Sequence, residues 1–290
     1  MSTLNLQEIC KDMIALAKSA GIEISEKKNT ADIVTTTDRG VESHIRDYLA
    51  SEYPSFDFIG EESHTGLAIT NKPTFIVDPI DGTSNFVHGF PAVCVSIGLV
   101  IDKQPTVGVV YNPFLDELWY AVKGFRAFTT TRGEPSQRLP LTPRPLGGIN
   151  SACIAIEWGS GREGPNFELN LHVFTTLARS AASGGKFVNS LRCIGSAAEA
   201  ICRVAAGQVD AFWECGCWPW DVAAAWCVLV EAGGVMADVH PGLWDVSIDN
   251  KRYLAVRAAE AGGRKFVEEF GGVVGERRST YGPLTVVDES

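Results

Sequence analysis

Phe75-Ile76-Val77-Asp78-Pro79-Ile80-Asp81-Gly82-Thr83-Ser84-Asn85 joins a short apolar run to two acids three residues apart and then to a set of helix-capping residues. Phe75 to Val77 includes β-branched members and suits a buried strand, and Pro79 keeps Asp78 out of helical geometry, so Asp78 is expected at a strand end. Asp81-Gly82 is a turn dipeptide, and Thr83, Ser84 and Asn85 all cap helices, so the chain is expected to turn and start a helix here. A helix start offers unpaired N–H groups to an anion. Two carboxylates beside such a start read as a metal and phosphate site. The plainer alternative is a turn carrying two solvated aspartates, and the rest of the chain decides between them.

Upstream, residues 4–20 space Ile9, Met13, Ile14, Leu16 and Ala17 like one face of an amphipathic helix, ended by Gly21. Val41, Ile45, Leu49 and Tyr53 mark a second helix, for which Thr37-Asp38 is the expected N-cap and Glu42 an acid suited to the helix dipole. Phe56 to Gly60 reads as a brief strand closed by Glu61-Glu62-Ser63. Downstream, residues 93–101, 106–111 and 117–122 are separated by Asp102-Lys103 and Asn112-Pro113, an antiparallel meander. Residues 135–148 hold Pro135, Pro140, Pro143, Pro145 and Gly147-Gly148, a linker between an N-terminal half of about 1–140 and a C-terminal half of about 149–290. Beyond it strands (152–157, 187–194, 209–214, 234–238, 253–257) and helices (167–182, 196–206, 221–232, 259–270) form an α/β series. The expectation is an α/β (α+β) fold of two tightly packed halves, residues 1–290 acting as a single unit.

With 45% hydrophobic and 21% charged residues, the 290-residue chain has the composition of an ordinary soluble protein. A formal charge of −10 with no basic stripe argues against a nucleic-acid partner. An acidic protein that handles an anionic phosphate must also bring positive charge to the site, which bound divalent cations would do. The N-terminus does not read as a signal peptide, and no run reaches the roughly 18 apolar residues of a membrane span. The eight cysteines are scattered, mostly in apolar segments, as expected for buried thiols in a reducing, cytoplasmic setting. Cys215-Gly216-Cys217 lacks the second pair or nearby histidine that a zinc site needs.

Three further acidic places end strands or open helices: Glu61-Glu62, Glu214 after Val209 to Trp213, and Asp221 behind Trp220. Any one of them fits an ordinary cap. Clustered, they would raise one another's pKa unless a cation neutralised them, and an all-oxygen set favours Mg²⁺ over Zn²⁺. Gly159-Ser160-Gly161-Arg162-Glu163-Gly164 matches the dinucleotide-binding pattern G-x-G-x-x-G. Pro165 follows its last glycine and the next strand, Phe187 to Ile194, ends without the ribose-binding acid, so a loop over the site is the expected role. No Ser or Cys stands as a nucleophile; His88 lies close to the aspartate stretch, and His44, His64, His172 and His240 have no spacing partners.

Taken together, Gly60-Glu61-Glu62-Ser63, Asp78-Pro79-Ile80-Asp81-Gly82-Thr83 with Asn85-Phe86, and Trp220-Asp221-Val222-Ala223-Ala224 followed by Glu231-Ala232-Gly233-Gly234 resemble the inositol monophosphatase family. Ala31 to Asp38 also fits, and the resemblance runs from about residue 8 to 258. Cys217-Trp218-Pro219-Trp220-Asp221 and Tyr253 to Arg257 look more like fungal members, including the phosphatase-like proteins of quinate utilisation. The resemblance implies a layered α-β-α-β-α sandwich, a homodimer, and lithium-sensitive, Mg²⁺-dependent hydrolysis of a phosphate monoester. Carried over by position, Glu61, Asp78 and the carbonyl of Ile80 would hold a first metal, and Asp78, Asp81 and Asp221 a second. Thr83 with Asp38 would orient and deprotonate the attacking water, a catalytic set that includes Glu61. The N–H groups of Gly82 and Thr83 would hold phosphate, and Gly195, Ser196, Ala197 and Glu214 would contact the substrate. The segments before Asp38 and between Glu62 and Pro73 are shorter than in typical members, which leaves open a third metal and any role for Lys27 or Lys28. Other small phosphates (a nucleotide 3′-phosphate, histidinol phosphate, a sugar phosphate) and a catalytically silent member of the fold remain as alternatives.

Overall fold

The computed structural model describes residues 4–26, 31–66, 68–238, 240 and 243–282, with residues 31–35 as backbone alone. Lys27 and Lys28 lie outside the described residues.

The chain opens with two helices, α1 (Leu6–Glu26) and α2 (Ala31–Glu52). α1 passes through Gly21, which is no terminator: a Cβ there would stand 2.6 Å from the Tyr111 ring, so the glycine lets the helix lie close against the sheet. α2 likewise starts well before Asp38, and Thr37 and Asp38 are buried interior residues of the helix rather than its cap. Packing of Val41, Ile45 and Leu49 in the core overrides the weak helix propensity of Thr35-Thr36-Thr37-Asp38.

A seven-stranded sheet follows in chain order: β1 (Asp57–Gly60), β2 (Thr74–Asp81), β3 (Cys94–Ile101), β4 (Gln104–Asn112), β5 (Glu117–Val122), β6 (Ala127–Thr131) and β7 (Gln137–Arg138). β1 runs parallel to β2, and all other neighbours are antiparallel. The expected meander therefore continues through two further strands, β6 and β7, the second inside the proline-rich stretch. β2 does not end at Asp78. It continues to Asp81, with an irregularity in its pairing to β3 between the two aspartates. Pro79 has no N–H to give a ladder, and a bulge is where a strand tolerates one. The short helix α3 (Thr83–His88) begins where the turn residues place it.

The second sheet has the order β11-β12-β10-β8-β9, built from β8 (Cys153–Ile156), β9 (Ser190–Arg192), β10 (Ala211–Cys215), β11 (Val235–Ala237) and β12 (Arg252–Val256). β8, β9 and β10 are parallel, and β12 is antiparallel to both neighbours. Four helices serve it: α4 (Gly164–Ala178), α5 (Ala197–Ala205), α6 (Pro219–Glu231) and α7 (Gly263–Val274). α1 and α2 cover the outer face of the first sheet, α5 and α6 lie between the sheets, and α4 and α7 cover the outer face of the second. The fold is thus an α-β-α-β-α sandwich.

α6 rests closely on the first sheet because Gly108 leaves it room: a Cβ there would stand 2.0 Å from the Ala224 carbonyl oxygen. Ser96 on β3 donates from its hydroxyl to the Trp220 carbonyl at 3.2 Å. These contacts bring the start of α6, from the second half of the chain, to the end of β2. Among the described residues no helix is long and apolar enough to cross a membrane.

Candidate active site

The bulge at the end of β2 points both of its aspartates inward. Asp78 is 2% exposed and its Oδ1 accepts the Ile80 N–H at 3.0 Å; Ile80 itself is fully buried. Asp81 is held by the second half of the chain: its Oδ2 accepts the Ser196 hydroxyl at 2.6 Å and the Ala198 N–H at 2.7 Å, with the Cys94 thiol also directed at it. Ser196 is the N-cap of α5 and also accepts the Glu199 N–H, so its hydroxyl is spent within the protein. Gly82 turns the chain at φ 94°, a conformation that strains any residue with a Cβ, and a Cβ there would stand 2.6 Å from the Ala92 carbonyl. Thr83 then donates its hydroxyl back to the Ile80 carbonyl at 3.1 Å. Asn85 ties this turn to the C-terminal half by donating to the carbonyls of Ala92 and Ile194, both at 2.8 Å.

Asp221 enters from α6. Trp218 is the N-cap and Pro219 the first helical residue, so Asp221 is the third residue of the helix, and its Oδ2 reaches back to accept the Trp218 N–H at 2.6 Å. One carboxylate oxygen from each of Asp78, Asp81 and Asp221 lies within 4.8 Å of the others, although Asp81 and Asp221 are 140 residues apart in the chain. Glu61, the first residue past β1, donates its N–H to the Val77 carbonyl, which sets its carboxyl beside that of Asp78. Glu42, expected as an acid matched to the helix dipole, is 2% exposed and accepts the Glu62 N–H at 2.7 Å, so it braces the turn that presents Glu61.

Electrostatics follow from this crowding. Burial, followed by the neighbouring Glu61, Asp81 and Asp221, holds the Asp78 carboxyl well above the usual carboxylate range. Burial and then Asp81 do the same to Asp221. Burial also raises Asp81, against the hydrogen bonds from Ser196 and Ala198. Glu61 is pushed up to about 7, mainly by desolvation. Asp38, on α2, is 5% exposed and pushed up to about 8 by burial and then by Glu62, Glu61 and Glu42. Its Oδ1 is buried with no hydrogen-bond partner among the described residues. Such a set has more negative charge than it can hold unaided. Oxygen ligands only, converging and mutually repelling, fit a hard divalent cation.

A cavity of about 270 Å³ opens beside the aspartates, lined by Asp81, Asp221, Gly195, Ser196, Ala197 and Glu214 together with Glu157, Trp158 and Gly159. Glu214 is pushed up to about 8 by desolvation and by Glu157. The glycine-rich stretch thus begins at the rim of this cavity. Glu157 and Trp158 escaped the sequence reading, although Glu157, like Glu214, is an acid at the end of a strand.

The family model described as the inositol monophosphatase family matches residues 3–277. The chain belongs to the inositol monophosphatase family. Among its relatives, "Inositol monophosphatase 2" of Saccharomyces cerevisiae is 45% identical over 252 residues, covering 84% of this chain and 83% of the yeast protein. "Inositol monophosphatase 1" of the same yeast is 40% identical over 237 residues, covering 81% and 79%. The solved structure of inositol monophosphatase from Anabaena (Nostoc) superposes with a TM-score of 0.76 at 28% identity, covering 93% of this chain and 96% of that one. As a member of this family the chain is a phosphoric monoester hydrolase.

Proposed function

We propose that the protein hydrolyses myo-inositol monophosphate to inositol and phosphate, with Mg²⁺ held by Glu61, Asp78, the Ile80 carbonyl, Asp81 and Asp221. The observation that carries this reading is the convergence of Asp78, Asp81 and Asp221 oxygens within 4.8 Å at the wall of a small cavity. Two Mg²⁺ ions, with room for a third left open, would supply the positive charge and Lewis acidity that hydrolysis of so unreactive an ester needs. The N–H groups of Gly82 and Thr83 hold the phosphate. Thr83 and Asp38 orient the attacking water and take its proton, the buried Asp38 Oδ1 having no hydrogen-bond partner among the described residues. Glu61 completes the catalytic set beside Asp78. Gly195, Ser196 and Ala197 shape the wall against which the inositol sits, and Glu214 accepts one of its hydroxyls. At about 270 Å³ the cavity is at the small end for a ligand site, which suits a compact alcohol.

Residues 1–290 act as one phosphatase unit, the halves of about 1–140 and 149–290 each giving ligands to the one site. The enzyme is lithium-sensitive, cytoplasmic and a homodimer in this reading. The test is phosphate release with and without Mg²⁺ from myo-inositol monophosphate, a nucleotide 3′-phosphate, histidinol phosphate and a sugar phosphate. The expected result is Mg²⁺-dependent turnover with kcat/KM highest for the inositol ester; a higher value for any other ester would displace inositol as the substrate.

A further inference from the structure

β8 and β10 are parallel neighbours, and their register pairs Ile156 with Trp213. The next residue on each strand is an acid, so Glu157 and Glu214 leave the same end of the sheet side by side, at the carboxyl ends where open α/β sheets bind ligands. Both line the cavity beside the aspartates. Glu157 is oriented by the backbone: its Oε1 accepts the Ile194 N–H at 2.6 Å and the Gly195 N–H at 3.0 Å. Among the described residues its Oε2 accepts no hydrogen bond. A carboxylate pinned by one oxygen, with the other left over in a polar cavity, is an acceptor set for a donor that the protein does not supply. Beside it Trp158 is 44% exposed at the rim, its ring 5.3 Å from that of Phe174. That leaves a flat apolar surface next to a fixed acceptor, the pairing that suits a ring bearing hydroxyls and C–H bonds.

We infer that Glu157 is a specificity-determining residue, its Oε2 accepting a hydroxyl of the polyol leaving group while its Oε1 fixes the wall formed by Ile194 and Gly195. This rests on the reading of the site as one for a polyol phosphate. Two acceptors, Glu157 and Glu214, then read different hydroxyls, and an alcohol lacking either hydroxyl leaves a carboxylate oxygen unpaired. Loss of one such pair is worth about tenfold in kcat/KM.

The experiment measures kcat/KM of wild type and Glu157→Gln on myo-inositol 1-phosphate, on its singly deoxygenated analogues and on p-nitrophenyl phosphate. Gln keeps an oxygen for the two backbone N–H groups and replaces the second oxygen with a donor. In wild type one deoxygenated position should cost about tenfold, and in the variant that same loss should shrink below about twofold. A variant that keeps every such discrimination, or that slows all substrates by the same factor, overturns the inference and leaves Glu157 a prop for the loop. A wild type with no preference for the inositol ester over p-nitrophenyl phosphate overturns the polyol reading and the inference with it. Glu157→Asp, which keeps the charge but draws it back by one methylene, is the second variant and should lose the same discrimination if the Gln protein does not fold.

Discussion

Asp221→Asn separates a metal ligand from a helix cap. Asn keeps an oxygen for the Trp218 N–H that Asp221 accepts at 2.6 Å, so the start of α6 should survive. The substitution does remove one of three carboxylates whose oxygens lie within 4.8 Å of one another. Two unit charges at about 4.8 Å repel by about 3.5 kcal/mol at an effective dielectric near 20. Burial and the neighbouring acids raise the carboxyls of both Asp221 and Asp78, so only part of that repulsion is present in the metal-free protein, and its relief comes to about 1–2 kcal/mol. Such a gain raises the melting temperature by about 2–3 °C for a chain of this size. With Mg²⁺ the sign reverses. The wild type gains stability from the cation and the variant gains much less, and kcat/KM falls roughly 100-fold or more, about 2.7 kcal/mol. The assay is a melting curve at pH 8 with and without saturating Mg²⁺, beside Mg²⁺ titration of phosphate release. A variant with wild-type Mg²⁺ half-saturation and a metal-free melting temperature no higher than wild type would refute the reasoning.

Thr83→Ala removes the hydroxyl that donates to the Ile80 carbonyl and should lower kcat about 100-fold, while phosphate inhibition and Mg²⁺ half-saturation stay within about threefold; an unchanged kcat would take Thr83 out of the catalytic step. Asp38 rises from 3.8 to about 8 and Glu61 from 4.5 to about 7, so the metal-free folded state holds more protons than the unfolded chain between about pH 4 and 8. Its stability should therefore fall as pH rises through that window, by up to about 1.4 kcal/mol per pH unit for each extra proton held, and Mg²⁺ should raise the melting temperature more at pH 8 than at pH 5. A metal-free melting temperature that climbs from pH 5 to 8 would contradict the buried-carboxyl account. Gly82→Ala forces a Cβ to φ 94° and to within 2.6 Å of the Ala92 carbonyl, so it should cost roughly 2–4 kcal/mol in thermal or urea unfolding; a cost under about 0.5 kcal/mol would show that the turn relaxes freely.

Residues 75–85 were legible because everything that shapes them is local. A β-branched run, a proline, an Asp-Gly turn and capping side chains act within a few residues of one another, so strand, turn and helix could be read in order. The amphipathic spacing of α1 is local in the same sense. Errors arose where a distant partner outweighs local preference. Gly21 looks like a helix stop until Tyr111 is found against it, and the threonines before Asp38 look like a cap until the core draws α2 past them. Pro79 looks like the end of a strand until the bulge opposite β3 accommodates it.

For the site the division is sharper. Residue types at Asp78, Asp81, Gly82 and Thr83, and the resemblance they carry, belong to the sequence. That Asp221 meets Asp81 across 140 residues of chain depends on the close seating of α6 on a sheet with a glycine at position 108, and no local pattern encodes that distance. The burial of Glu42, the anchoring of Glu157 and the closeness of Glu61 to Asp78 depend on the fold for the same reason. A carboxylate reads as an ordinary surface acid until burial removes its water and the fold places its neighbours, because desolvation and Coulomb repulsion act through space and not along the chain.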